Sequence, residues 1–427
     1  MVIYFATKLL ILLHKTLIKR MKKIILLLSI ISFGSITAQN DVKRDIEEIK
    51  MSALPYYSYG KGMGMTSADS LFQLNIRFRM QNRVTYFDYE DNDAEYEAQI
   101  RRLRLRLDGY VGNPKFQYAL QLSFSPGDVG AIEEGKNLNI IRDAVVSYNP
   151  NRNWSFLFGQ TKLPGNRQRI NSSGSLQLTD RSINNANFNI DRDFGFQVNY
   201  FQQKKDQFSY NIKTAASSGN GRNWNGKDNN VALTGKIELL PFGTFKKGGE
   251  YFEGDIQFEE KPKLMVSGVL HKNFDAMAAR GQQGSDLYES RNLQSVFVDA
   301  IAKYRGWAGM VAYMNRTTNN PVTFGAAEDG STLMSYVFAG EGMDYQLSYT
   351  FPTSHYEIIG RFSNQNVDDA IYKLNVPHQK QYSLGVTKYI WEHAFKVQAE
   401  VTYDDLKYFT GDTKNNWYLR FQIEIGI

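Results

Sequence analysis

The chain closes on Trp417-Tyr418-Leu419-Arg420-Phe421-Gln422-Ile423-Glu424-Ile425-Gly426-Ile427, a stretch that alternates without a miss. Trp417, Leu419, Phe421, Ile423, Ile425 and Ile427 share one face, and Tyr418, Arg420, Gln422, Glu424 and Gly426 the other. A period of two is that of a β-strand with one apolar side. A tilted strand needs roughly 9–11 residues to cross a bilayer, and only a closed barrel satisfies the backbone of such strands in lipid. The stretch therefore reads as a transmembrane strand that closes a barrel.

The other end of the chain points to the same compartment. Met21, Lys22 and Lys23 form a basic start, Ile24 to Phe33 an apolar run, and Gly34 to Ala38 a small-residue segment. This is the order of a secretory signal peptide, with cleavage expected after Ala38 and translation most simply starting at Met21. Residues 1–38 are thus expected to be a leader. Neither apolar stretch within them approaches the ~20 residues of a membrane helix. Lys8, Lys15, Lys19, Arg20, Lys22 and Lys23 fall in the leader with no acid, so the formal charge of +6 belongs to it and residues 39–427 are neutral. Any preference for anions must come from local arrangement, and nucleic-acid binding has no support. The absence of cysteine excludes disulfides and thiolate metal sites.

Between the ends, residues 39–70 form a polar extension, expected in the periplasm, with a short helix over Asp41 to Met51 and a flexible run at Gly60, Gly62 and Gly64. From Leu71 to Ile427 the period stays at two. Strands are expected near 71–86, 96–111, 114–124, 138–148, 153–162, 193–202, 207–215, 231–240, 262–271, 293–304, 307–315, 342–351, 355–362, 380–389, 394–403 and 417–427. The fold class is all-β: a transmembrane antiparallel barrel of about sixteen strands, wide enough for an aqueous channel. Short turns alternate with long polar loops, and the long ones are expected outside. The segment 163–192 is too long for a mere connector and is expected to fold into the lumen.

Charge is segregated on the first two strands. Arg77, Arg79 and Arg83 lie opposite in parity to Phe72, Leu74, Ile76, Phe78, Met80 and Val84, while Arg102, Arg104 and Arg106 alternate with Leu103, Leu105 and Leu107. A lipid-facing arginine at mid-membrane costs roughly 2–4 kcal/mol, so these six are expected to line the lumen. Asp88, Glu90, Asp91, Asp93, Glu95 and Glu97 are placed in the connecting loop. A row of guanidinium forks can replace part of an anion's hydration shell. Alternatively, the arginines pair across an unselective lumen with Asp299, Asp344, Glu357, Glu400 and Glu424, which share lumen parity.

Several short motifs resemble the phosphate-selective porin O and P family over almost all of 71–427. They are Arg101-Arg102 before the alternating leucines, Gly159-Gln160-Thr161-Lys162-Leu163-Pro164, Thr179-Asp180-Arg181-Ser182, Arg192-Asp193-Phe194-Gly195, Leu240-Pro241-Phe242-Gly243 and Gly342 to Phe351. The resemblance implies a sixteen-stranded, usually trimeric outer-membrane channel with basic residues at its constriction, taking up phosphate or related small anions; separately, no cofactor or metal is expected. Arg101, Lys162 and Arg181 are the constriction residues it suggests. Arg101 and Lys162 have lipid parity by simple counting, which requires a bulge, an early strand end or snorkelling at the interface. Arg167, Arg169, Arg181 and Arg192 lie in the long loop, at a constriction or exposed.

Other signals carry less. Gly221 to Lys227 has P-loop glycine spacing, but Asp228 stands where magnesium needs a hydroxyl, and the segment reads as an external loop. His271, His355, His378 and His393 are isolated near strand ends or in loops, so no enzyme is expected. Two rivals remain to an anion porin: a general diffusion porin, and a receptor or adhesin with a plugged lumen.

Overall fold

The computed structural model describes residues 56–58, 62–129, 139–224, 226 and 229–427. The leader and the expected helix at 41–51 lie outside the described residues. Among these residues, a single sheet holds β1 (Tyr56–Ser58), β2 (Gly62–Thr66), β3 (Phe72–Tyr89), β4 (Glu95–Val111), β5 (Asn113–Ser123), β6 (Ile141–Tyr148), β7 (Trp154–Lys162), β8 (Arg192–Gln202), β9 (Ser209–Ser217) and β10 (Val231–Leu240). It continues through β11 (Lys263–Ala278), β12 (Asp286–Tyr304) and β13 (Trp307–Thr318). After a separate hairpin of β14 (Val322–Ala326) and β15 (Thr332–Tyr336), β16 (Gly340–Thr350), β17 (Tyr356–Val367), β18 (His378–Trp391), β19 (Phe395–Lys407) and β20 (Thr413–Gly426) complete it.

β3–β13 and β16–β20 form a closed antiparallel barrel of sixteen strands, sealed where β20 pairs with β3. Alternation sets the two faces. On β20 Trp417, Leu419, Phe421, Ile423 and Ile425 are exposed on the outside, while Gln422 and Glu424 are buried within. The turns at Gly112, 203–208, 305–306, 351–355 and 392–394 lie at the end of the barrel that carries Ile427, here the inner mouth.

At the seam Arg420 stands opposite Thr85, Glu424 opposite Gln81 and Gly426 opposite Arg79. β20 ends too soon to reach Arg77. Phe78 and Ile427 exchange backbone bonds of 3.0 and 2.9 Å, and β2 then takes over the edge, pairing Met63 with Ile76 and Thr66 with Gln73. Residues 62–66, expected as a flexible run, are thus a strand, because the free edge of β3 offers them a ladder.

Two connections fold into the barrel. Residues 163–191, joining β7 to β8, do so as expected. Leu163, Phe188 and Ile190 pack there against Val269, Phe297 and Met314 of β11–β13, so the largest apolar core lies inside the barrel, between loop and wall. The second is 241–262, which joins β10 to β11 at the inner mouth. Its Glu250, Glu253, Asp255 and Glu259 are buried. The rule that long connections face outside fails here, since this segment is long and sits at the end of the short turns.

Candidate functional site

Inward-facing arginines of β3 and β4 stand directly opposite one another, Arg77 across from Arg106 and Arg79 across from Arg104. Like charges in register repel unless something lies between them. Asp108 contacts Arg77 and accepts from Arg106 Nε at 3.0 Å. Asp128 binds Arg104 Nε at 2.8 Å and Arg142 at 2.9 Å. Asp180, on the inward loop, binds Arg83 at 3.1 Å, Arg101 at 2.7 Å and Arg102 at 3.0 Å. Burial alone raises the Asp180 carboxyl, but Arg102, Arg101 and Arg83 outweigh it and hold the group well below the usual carboxylate range.

The two residues of awkward parity come inward by different routes. The β3–β4 register slips between Gln81 and Asn82, which pair with Arg102 and Ile100. Arg101 is the extra residue of this bulge, and its side chain turns to Asp180. Lys162 follows Gly159, whose φ of +125° leaves only 2.3 Å between a Cβ and the Ala144 carbonyl oxygen. Only glycine fits there. Beyond it Lys162 Nζ donates to the carbonyls of Ile170 and Asn171 at 2.8 and 3.0 Å. Neither side chain snorkels. Arg181 donates to the carbonyls of Gln168 and Asn171. Of the two readings left open for the loop arginines, exposure does not hold for Arg167 and Arg192, which are buried; Arg192 opens β8 and pairs with Asp143.

The carboxylates of lumen parity, which the rival reading pairs with the strand arginines, mostly hold the inward loop. Glu400 accepts from the N–H and hydroxyl of Thr179 at 2.9 and 2.7 Å. Asp344 accepts from Ser182 at 2.6 Å and Asn184 at 2.8 Å. Glu357 accepts from Gln177 and, at 2.5 Å, from Tyr389, and Asp299 pairs with the loop's Arg167 at 3.0 Å. Of the five, Glu424 alone comes near one of the six arginines, Arg79, at 3.9 Å. Cations of the same wall take the loop's carbonyls: Lys396 binds Gly174 O at 3.0 Å, Lys236 binds Gly165 O at 3.0 Å and Arg316 binds Asn189 O at 2.8 Å. Gly174 makes the approach to the arginine wall close, since a Cβ there would lie 2.5 Å from Arg79.

Space remains beside the arginines. An outer cavity of about 420 Å³ is lined by nine arginines, Arg101, Arg102, Arg104, Arg142, Arg169, Arg181, Arg222, Arg280 and Arg420, against Asp128 and Asp180. Asp191 takes Arg169, and Glu400 lies 3.7 Å from Arg420. Arg222 and Arg280 are held by the carbonyls of Asn139 and Ala186. Positive charge remains in excess after every one of these carboxylates. Burial, then the neighbouring Arg169 and Arg102, push Arg181 well below its ordinary value. An inner cavity of about 380 Å³ is lined by Arg77, Arg79, Arg104 and Arg106 together with Phe252, Ile256 and His393. Arg104 belongs to both cavities, and its Nη1 donates to Ser173 of the loop at 2.9 Å. The six strand arginines are therefore gathered along one wall, while Arg142, Arg169, Arg222 and Arg280 join from elements that a strand-by-strand reading does not bring together.

An arginine wall facing a pinned inward loop inside a sixteen-stranded barrel is the arrangement against which known proteins can be compared. Residues 72–237 match the phosphate-selective porin O and P family. The match takes in β3–β9 and most of β10, with the inward loop and both arginine strands. Over these residues the chain is similar to a porin family. No curated protein matches the chain in sequence. Among solved structures, the anion-selective porin from Comamonas acidovorans is similar at 11% identity and a TM-score of 0.50, covering 83% of this chain and 99% of that one. Pseudomonas putida OprB is similar at 10% identity and a TM-score of 0.51, covering 83% and 94%. At these identities the likeness is one of fold: a porin barrel.

His271 also departs from expectation. It lies within β11 and not at a strand end, is 3% exposed, and meets Thr234 Oγ1 at 2.9 Å.

Proposed function

We propose that the barrel conducts small anions passively across the outer membrane, phosphate foremost, and that Arg77, Arg79, Arg83, Arg102, Arg104 and Arg106 give it that preference, with Arg101, Lys162 and Arg181 shaping the narrow zone. The observation that carries this reading is the sharing of Arg104 between two cavities, one of them lined by nine arginines and two aspartates. An anion moving from one to the other stays beside guanidinium forks throughout, and inside a narrow lumen each fork is worth more than in bulk water. Phosphate as the solute rests on the family description together with the fit of fork-shaped donors to its oxygens. Export through the leader 1–38 and assembly as a homotrimer belong to the same proposal.

The test is a reversal potential across a planar bilayer under a potassium chloride gradient, repeated with phosphate competing against chloride. The expected result is chloride over potassium, with chloride current reduced by phosphate. An unbiased or cation-selective pore would leave a general diffusion porin as the better description.

A further inference from the structure

The inner cavity differs from the outer one in chemistry. Its four arginines, Arg77, Arg79, Arg104 and Arg106, come from β3 and β4, but Phe252 and Ile256 come from the inward segment 241–262 and His393 from the turn between β18 and β19. Arg77 and Arg106 share Asp108 and keep side-chain exposures of 31% and 35%, the largest among the paired arginines of this wall. Phe252 is fixed from two sides: Lys303 Nζ lies 4.0 Å from its ring centre, and the His393 ring meets it edge-on at 5.4 Å. A rigid ring and a branched aliphatic chain thus share a cavity with guanidinium forks. A bare tetrahedral anion uses only half of such a site, because its oxygens need donors in every direction and apolar walls offer none. An anion that carries an apolar body uses all of it.

We propose that the inner cavity is a binding site for amphiphilic organic anions, a carboxylate or phosphate monoester joined to an aromatic or branched apolar group, with the anionic end on Arg77, Arg79 and Arg106 and the apolar end on Phe252 and Ile256. This rests on the anion-channel reading. The outer cavity accepts any small anion, and the inner one holds organic anions longer than inorganic ones.

Block of chloride current in planar bilayers tests it, with phenyl phosphate compared against inorganic phosphate on the intact protein. Phenyl phosphate is expected to block at about tenfold lower concentration, the size expected for partly burying one ring. Phe252→Ser and Ile256→Ser should each bring the two blockers within about threefold of one another while chloride preference over potassium stays as it was. Equal block by both compounds in the unaltered protein would overturn the inference and leave the anion channel standing. So would an undiminished difference in Ile256→Ser, a change that keeps Phe252 and its contacts in place. Loss of chloride preference in the unaltered protein would instead overturn the channel reading beneath it.

Discussion

The two sides of the lumen use charge in opposite ways. On β3 and β4 the arginines outnumber their carboxylates and face cavities. Around β16–β19, Asp344, Glu357 and Glu400 are each less than 3% exposed and each accepts from the inward loop. One wall keeps unspent charge beside open space; the other converts charge into fixed hydrogen bonds. Residues 39–427, which carry no net formal charge, can therefore present a strongly basic lumen wall, because their acids are committed elsewhere. Overall charge says little about the field in a pore.

Breaking the dry wall should have the largest effect. Glu357→Ala leaves Gln177 Nε2 and the Tyr389 hydroxyl without their buried acceptor, at a cost of about 2 kcal/mol. A lowered thermal midpoint and a raised, noisier single-channel conductance are expected, with ion preference unchanged; a shift in preference would mean that the two walls are not separate. Next comes the wet wall at its shared residue. Arg104→Glu should lower anion-over-cation permeability by about tenfold, ~1.4 kcal/mol, in the reversal potential. If the ratio holds, Arg104 is not on the path. Asp180→Asn removes a carboxylate that binds three arginines, so preference should move the other way, rising by about threefold. A fall would show that Asp180 matters as an anchor of the loop and not as a counter-charge.

Acidification sharpens the same contrast at smaller amplitude, because the two inward segments titrate with opposite sign. Asp180 and Asp191 are held below the usual carboxylate range, so their contribution is present above roughly pH 4 and is lost as pH falls through their lowered values. In 241–262, burial pushes Glu250, Asp255 and Glu259 up. There the folded state binds the proton more tightly, and stability is lost as pH rises through those values. The thermal midpoint should rise modestly on going from pH 8 to pH 5 and drop below about pH 4. A midpoint that only declines from pH 8 downward would contradict this assignment.

How far the sequence could be read follows from what periodicity records. Sixteen strands were legible because lipid tolerates no polar side chain on alternate positions, so pattern and membrane face are one constraint. The inward loop was legible from its length. Arg101 and Lys162 were not, since the first is the extra residue of a bulge and the second follows a glycine at positive φ at the very end of its strand, and neither device leaves a trace in composition. Segment 241–262 escaped because the parity argument stops at a strand's end. Its run of Glu250, Glu253, Asp255, Glu259 and Glu260 beside Phe245, Tyr251 and Phe252, too long for a turn, was the available sign. The gathering of Arg222 and Arg280 with the β4 arginines joins positions more than a hundred residues apart, which a single sequence does not pair.

That distance also bears on assembly. Gly174 O and Thr179 N find their partners, Lys396 and Glu400, more than two hundred positions further along, on the strand next to last. Contacts of such separation are slow to form, because a large loop must close before any of them repays its entropy. The inward loop reaches its final hold only when β19 arrives, so completion of the passage and closure of the wall around it are one kinetic event. A chain stalled before β19 would present a loop with nothing to grip, a natural mark by which quality control could tell an unfinished barrel from a finished one.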